Sequence, residues 1–247
     1  MGDCSYEVSA PKPSVGVLIA AYNEGPSIGA VVRGCMVHTP GLQEVLVVDD
    51  GSRDDTAVEA ERAGARVYRL PSNQGKGTAL REGLARISGD VLVTLDGDGQ
   101  DPPEEIPRLL GALAPEVDLV VGSRFLGRFE RGAITPINRM GNLALTALFN
   151  VLFNARITDT QAGFRAFRRR AVEGLPLEAR RYDIETEMLV QVLARGGRVV
   201  EVGVTRGARA HGRSGLHAAR DGARILGRML QCRARTAGWF TGHTARR

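Results

Sequence analysis

Short runs of apolar, β-branched residues recur through the first half of this chain, each ended by a polar, glycine-rich break. The runs are Val15 to Ala20, Glu44 to Val48, Ala65 to Leu70, Asp90 to Leu95 and Val117 to Val121. They are too short for helices and read as buried strands. The stretches between them are long enough for one helix each, so strand and helix alternate at roughly 20–25 residues. That alternation predicts an α/β fold: a mainly parallel central sheet with helices on both faces. It also gathers the polar breaks on one sheet edge, where open α/β sheets bind ligands. Neither Gly-x-Gly-x-x-Gly nor Gly-x-x-x-x-Gly-Lys-Ser/Thr follows a strand, which argues against dinucleotide and P-loop sites.

The break after the fourth run carries the most chemistry. Asp96-Gly97-Asp98-Gly99-Gln100 sets two carboxylates one residue apart, with Pro102 and Pro103 suited to the first turn of the next helix. Two hard oxygen ligands at a strand's carboxyl end suit Mg²⁺ or Mn²⁺ shared with substrate phosphates. The plain alternative is an acidic turn that binds nothing. Elsewhere Ser52 or Asp54 is placed to cap the second helix, which runs through about Ala63.

The second half differs. Asn138, Asn142, Thr146, Asn150 and Asn154 recur every four residues, a narrow polar stripe on a helix, with Met140, Leu143, Leu145, Leu148, Phe149, Val151, Leu152 and Phe153 between them. Such a helix is either buried in the core, or lies in a membrane interface or lines a lipid-chain groove. A polar loop, Asp159 to Arg165, enters a short strand. An acidic helix runs from Tyr182 to Ala194, and a further strand from Arg198 to Val204. The last helix carries Arg220, Arg224 and Arg228 at four-residue spacing, followed by Trp239 and Phe240. That pattern suits an anionic bilayer surface, or a helix packed on the sheet with a solvated basic face.

Charge and cysteine usage narrow the classes. Residues 205–247 hold ten arginines and one acid, although the whole chain's net charge is only +5. The basic end has two candidate stacking aromatics and no recognised nucleic-acid motif, so no nucleic-acid partner is expected. No apolar run approaches the ~18 residues of a membrane span. No secretory signal is expected at Met1 to Pro13. Cys4, Cys35 and Cys232 are few, odd in number and far apart, which suits reduced thiols in the cytoplasm. The expected organisation is a flexible segment 1–13, one domain over 14–236 and a basic tail 237–247. Within the domain, 14–125 and 126–236 read as two halves.

Taken together, Ala21-Tyr22-Asn23-Glu24, Val48-Asp49-Asp50-Gly51-Ser52-x-Asp54, Asn73-x-Gly75-Lys76-Gly77 and Asp96-x-Asp98 resemble the inverting GT-A glycosyltransferases of family 2. Gly122-Ser123-Arg124, Asp159 to Arg165 and His211-Gly212-Arg213-Ser214 are similar to that family's polyprenyl-phosphate branch, which includes dolichyl-phosphate mannose and glucose synthases. The resemblance implies a GT-A nucleotide-sugar-binding fold with C-terminal amphipathic helices, in which 14–125 would bind the nucleotide sugar and 126–236 the acceptor. It implies transfer of a hexose from UDP- or GDP-sugar to a polyprenyl phosphate, with Mg²⁺ or Mn²⁺, on the cytoplasmic face of a membrane.

Residue by residue, it implies donor contacts from Ala20, Tyr22, Glu24, Asp49, Asp50, Lys76, Gly77, Asp96, Gly97, Asp98, Arg209, Arg213 and Ser214. Metal would fall to Asp96, Asp98 and Gln100, and the acceptor to Arg124, Arg139 and Asn142. Asp96, Asp98, Arg124 and Asp159 would form the catalytic set. A lipid monophosphate is already an anion near neutral pH and can attack without a strong base. An alcohol acceptor would want a carboxylate base, for which Asp159, Asp183 and Glu185 are the candidates, although Asp159 is better suited to orienting an arginine or capping its loop.

Overall fold

The structure, a computed structural model, describes residues 13–209, 211 and 217–236. The expected flexible segment up to residue 12, Arg213, Ser214 and the tail with Trp239 and Phe240 lie outside the described residues. In order, the elements are β1 (Val15–Ala21), α1 (Gly25–His38), β2 (Leu42–Asp49), α2 (Thr56–Arg62), β3 (Arg66–Arg69), α3 (Lys76–Leu84) and β4 (Val91–Asp96). A 3₁₀ turn (Pro103–Glu105) leads to α4 (Ile106–Ala112) and β5 (Leu119–Phe129). Then come α5 (Pro136–Phe153), β6 (Arg165–Arg168), α6 (Arg169–Val172), α7 (Ile184–Ala194), β7 (Val199–Arg206) and α8 (Ala218–Arg235).

The seven strands form one sheet in the order β3-β2-β1-β4-β6-β5-β7. All pairings are parallel except those of β6, which runs against β4 and β5. The carboxyl ends of β1, β2, β4, β5 and β7 therefore share one edge, and the loop entering the reversed β6 arrives there too. The chain departs in opposite directions from β1 and β4, so the crevice between their ends is the topological switch point of the sheet. Register places Ala20 beside Asp96 and Ala21 beside Asp49 across these strands.

Side-chain alternation divides the core between the two faces. Val17, Ile19, Val45, Val47 and Val93 pack with Ile28 and Val31 of α1, Ala60 of α2 and Leu109 of α4. Leu18, Leu46, Val48, Leu92 and Val121 pack with Leu80 of α3, Phe149 of α5, Met188 of α7 and Met229 of α8. Strands buried on both faces are what uninterrupted apolar runs demand.

Three elements differ from the sequence reading. The helix expected over Pro102 to Ala114 begins with a 3₁₀ turn, because Pro107 has no N–H to close the preceding α-helical turn. The fifth strand does not stop at Gly122-Ser123-Arg124 but runs on to Phe129, paired irregularly with β7. Gly127 and Gly203 permit this, since a side chain at either would collide with the facing backbone. On α5 the polar stripe faces inward in part. Thr146 is buried against Thr160, and Asn150 clamps both backbone groups of Ile157 at 2.8 and 2.9 Å. Phe149 and Phe153 are buried, whereas Ile137, Met140, Leu143 and Val151 are exposed.

Candidate active site

The shared edge opens into a cleft of about 850 Å³ at the switch point. One end is lined by Ala20, Tyr22, Glu24, Asp50, Lys76, Asp96, Gly97 and Asp98; the other by Phe129, Ile134, Ile137, Leu145 and Ile225. Gln100, Arg124, Asn142, Arg206 and Arg209 complete the lining from several elements. An acidic floor thus passes into an apolar rim supplied by α5 and α8.

The floor is built from charges in pairs. The Lys76 Nζ lies 2.6 Å from Asp96 Oδ1 and 2.7 Å from Glu185 Oε1. Burial disfavours its charge, but these two carboxylates more than offset that and raise its pKa. Burial likewise works against the Asp96 carboxylate, yet Lys76 and Arg206 hold its pKa below the usual range. Asp98 goes the other way, raised by burial and by the Asp96 charge despite Arg206 and Arg209. Lys76 reaches this position because Gly163 has no side chain: a Cβ there would stand 2.9 Å from Nζ. Gly75 turns with φ +96, a conformation that favours glycine, and sends the chain into α3.

Arg206, at the end of β7, was not singled out from sequence. It pairs with Asp101, approaches Asp98 at 3.4 Å and donates to Gln100 Oε1 at 3.0 Å. Its signal was an arginine closing an apolar run at the ligand-binding edge, hidden among the many arginines that follow. Arg209 bridges Glu24 at 2.9 Å and Asp98, and so spans the mouth of the acidic end.

Arg124 is nearly buried and fixed by Asp159. Its Nε donates at 2.6 Å and its Nη2 at 2.8 Å to the two carboxylate oxygens, and its backbone N–H donates at 3.1 Å. Asp159 is fully buried, and its own N–H and that of Thr158 are capped by Glu201 from β7 at 3.1 and 2.8 Å. Arg165, also buried, holds the same loop by donating to the carbonyls of Thr160, Ala162 and Glu185.

Four expected site residues do not line the cleft. Asp49 is fully buried, accepting from Ser52 N–H and pairing with Arg69 at 3.2 Å, because its strand-end side chain turns toward α2's loop. Gly77 packs against the Arg180 backbone instead, donating to its carbonyl at 3.0 Å. Arg139 is exposed, its guanidinium 5.7 Å from the Phe129 ring centre. Asp159 is a buttress beneath Arg124 and has no open edge for a proton. The solvated basic face read onto α8 is also incomplete: Arg228 turns inward to Asp183 at 3.1 Å and Glu187 at 3.3 Å.

The donor set suits Mg²⁺ or Mn²⁺ of the kind completed by substrate phosphates. Asp96 and Asp98 are hard oxygen ligands facing one cavity, and such ions take one or two carboxylates plus phosphate. Among the described residues no group of three or more His, Cys, Asp or Glu stands ready to hold a metal alone. In the structure the cations opposite these carboxylates are Lys76, Arg206 and Arg209.

Known proteins resemble this chain in sequence or in fold. "Glycosyltransferase AglJ" of Haloferax volcanii is 35% identical over 219 residues, covering 87% of this chain and 71% of that protein. The "Dolichol-phosphate mannosyltransferase" of Pyrococcus furiosus is 34% identical over 221 residues, 82% of this chain and 59% of that one. Among solved structures, glucosyl-3-phosphoglycerate synthase from Mycobacterium tuberculosis, with Mn²⁺, UDP-glucose and phosphoglyceric acid, superposes with a TM-score of 0.73 at 26% identity. It covers 90% of this chain and 80% of that one. The profile described as "Glycosyl transferase family 2" matches residues 16–175. The acidic switch-point cleft thus sits on a GT-A fold, and the chain belongs to glycosyl transferase family 2.

Proposed function

We propose that this glycosyltransferase moves a hexose from UDP- or GDP-sugar to a polyprenyl phosphate, with inversion and with a divalent metal, on the cytoplasmic face of a membrane. The observation that carries the acceptor is the state of the three carboxylates available as a base. Asp159 is locked on Arg124, Glu185 on Lys76 and Asp183 on Arg228. An acceptor that arrives as an anion needs none of them. The apolar rim of α5 and α8 supports the same reading, as do relatives named for dolichol-phosphate and dolichyl-phosphate transfer.

In this mechanism a phosphate oxygen of the acceptor attacks C1 of the sugar as the bond from C1 to the donor diphosphate breaks. The electron pair leaves on the nucleoside diphosphate, and no proton need move. Arg124, rigid in its carboxylate cradle, presents a guanidinium edge to the acceptor phosphate and holds it in line. Arg206 and Arg209 set positive charge where the diphosphate develops negative charge. Asp96 and Asp98, beside Gln100, would hold Mg²⁺ or Mn²⁺, which would supply further neutralisation of that charge. Tyr22, Glu24 and Asp50 line the end where the nucleoside would lie.

Soluble acceptors are the second reading, favoured by the phosphoglyceric acid present with UDP-glucose in the Mycobacterium structure. Both readings are separated by one assay. Labelled UDP- and GDP-hexoses are offered with Mg²⁺ or Mn²⁺ and either short-chain polyprenyl phosphate or phosphoglyceric acid. The expected result is label in the lipid phase, abolished by chelator and reduced at least about a thousandfold by Asp98→Ala. Label only in the soluble acceptor would overturn the proposal.

A further inference from the structure

We infer that Gln161 accepts a hydrogen bond from a hydroxyl of the donor sugar and so helps to set which hexose the enzyme takes. Its side-chain nitrogen donates to Thr160 Oγ1 at 3.0 Å and to Thr186 Oγ1 at 2.9 Å. Those bonds use both N–H groups of the amide, and no described residue donates to its oxygen. Gln161 is half-buried and lines the cleft, so Oε1 is the group it offers there. Its posture is fixed from behind. Thr160 and Thr186 are fully buried, and Thr160 is tied at 3.0 Å to the buried Thr146 of α5. Helix α5, the loop entering β6 and α7 thus combine to aim one oxygen.

Position identifies the ligand. On one side, the backbone N–H of Gln161 donates at 3.3 Å to Asp159 Oδ1, in the carboxylate that cradles Arg124. On the other, Thr186 follows Glu185, whose partner Lys76 also holds Asp96. Further along the loop, a Cβ at Gly163 would stand 3.5 Å from Asp96 Oδ1 and 3.6 Å from Glu185 Oε1. In the proposed mechanism C1 passes from the diphosphate, at Asp96 and Asp98, to the phosphate held by Arg124. The sugar ring then lies across Gln161, between those two ends. The ions on either side are already paired, Arg124 with Asp159 and Lys76 with Glu185. A neutral amide oxygen between them suits a neutral hydroxyl. A hexose with a free hydroxyl at the facing carbon satisfies it, whereas a deoxy sugar leaves it unpaired and binds less well. The inference rests on the hexose-donor part of the proposed function and not on the lipid acceptor.

The test is calorimetric binding with Mg²⁺ and without acceptor. The ligands are UDP-glucose and GDP-mannose, their 2-, 3-, 4- and 6-deoxy analogues, and bare UDP and GDP. Wild type is compared with Gln161→Met, which keeps the length without the amide, and with Gln161→Glu. The glutamate keeps an oxygen toward the cleft, because the threonine hydroxyls can rotate to donate to it. In wild type, one deoxy position is expected to weaken binding about three- to tenfold. Gln161→Met should weaken the parent sugar by the same factor and erase its difference from that analogue; Gln161→Glu should preserve the difference. Bare nucleotide should bind all three proteins within about twofold, which also reports that the variants fold. Discrimination that survives in Gln161→Met, equal loss of bare nucleotide, or a wild type indifferent to every hydroxyl overturns the inference. A wild type that binds neither nucleotide sugar sinks the donor reading and this inference together. Donor binding with the expected pattern but no transfer to polyprenyl phosphate would sink the acceptor reading alone.

Discussion

Arg124 shows how a single side chain is prepared for a task. A guanidinium is costly to bury, and here the cost is offset by a bidentate carboxylate with its own backbone support from Glu201. Burial works against the arginine's charge, while Asp159 holds its pKa above the ordinary value. Asp159→Asn should therefore act on the acceptor and spare the donor. Acceptor KM is expected to rise about 10- to 100-fold with donor KM within about twofold, read from steady-state kinetics in both substrates. Equal loss in both would mean that the loop had collapsed. Most of these residues were legible in the chain: Asp96, Asp98, Lys76 and Arg124 all line the cleft. What sequence could not show was direction. Asp49 and Asp50 are neighbours on one strand end, yet successive side chains point to opposite faces, and only Asp50 faces the cleft.

Among the elements, α1 and α2 depend on one shared carboxylate. Asp54 accepts from the first N–H of α1, at Gly25, and from the N–H and hydroxyl of Thr56 at the start of α2. The two N–H groups are donors that a helix start leaves without a partner. Burial opposes the charge of Asp54, but these hydrogen bonds outweigh it and lower its pKa. The sign follows: the ionised carboxylate stabilises the fold above the ordinary aspartate value of 3.8, and that contribution is lost as pH falls through the lower folded value. Asp54→Ala should cost about 1 kcal/mol in urea unfolding at neutral pH. The gap from wild type should close in strong acid; a penalty independent of pH would contradict the assignment. The sequence offered Ser52 or Asp54 as the cap of α2, and the structure gives that role to Asp54; the bond to α1 was not readable, because it joins residues 29 apart. For α5, period alone located the helix without saying which stripe faces the core. The Thr146 and Asn150 contacts to the 157–160 loop decided that, and they exist only once the chain has folded back.

At the scale of the whole molecule, the alternation of strands and helices was sufficient to give a mainly parallel sheet with two covered faces. Strand order was not readable, since the reversed β6 between β4 and β5 arises from long-range pairing. That insertion matters: it brings Asp159, Gly163 and Arg165 to the same edge as the carboxylates of β4. No described helix is long and apolar enough to cross a membrane. The molecule joins an acidic, cation-rich floor to an apolar mouth within one cleft, and Asp159, Asp183 and Glu185 are each held by a cation. The central claim is therefore that the acceptor's own phosphate oxygen is the nucleophile. The direct measurement is ¹³C and ³¹P NMR of purified product made from a donor labelled at sugar C1. A C1 signal coupled to a single phosphorus, with the anomeric configuration opposite to the donor's, is the predicted result. A labelled C1 joined to a carbon-borne hydroxyl oxygen, or one that keeps the donor's configuration, would contradict it.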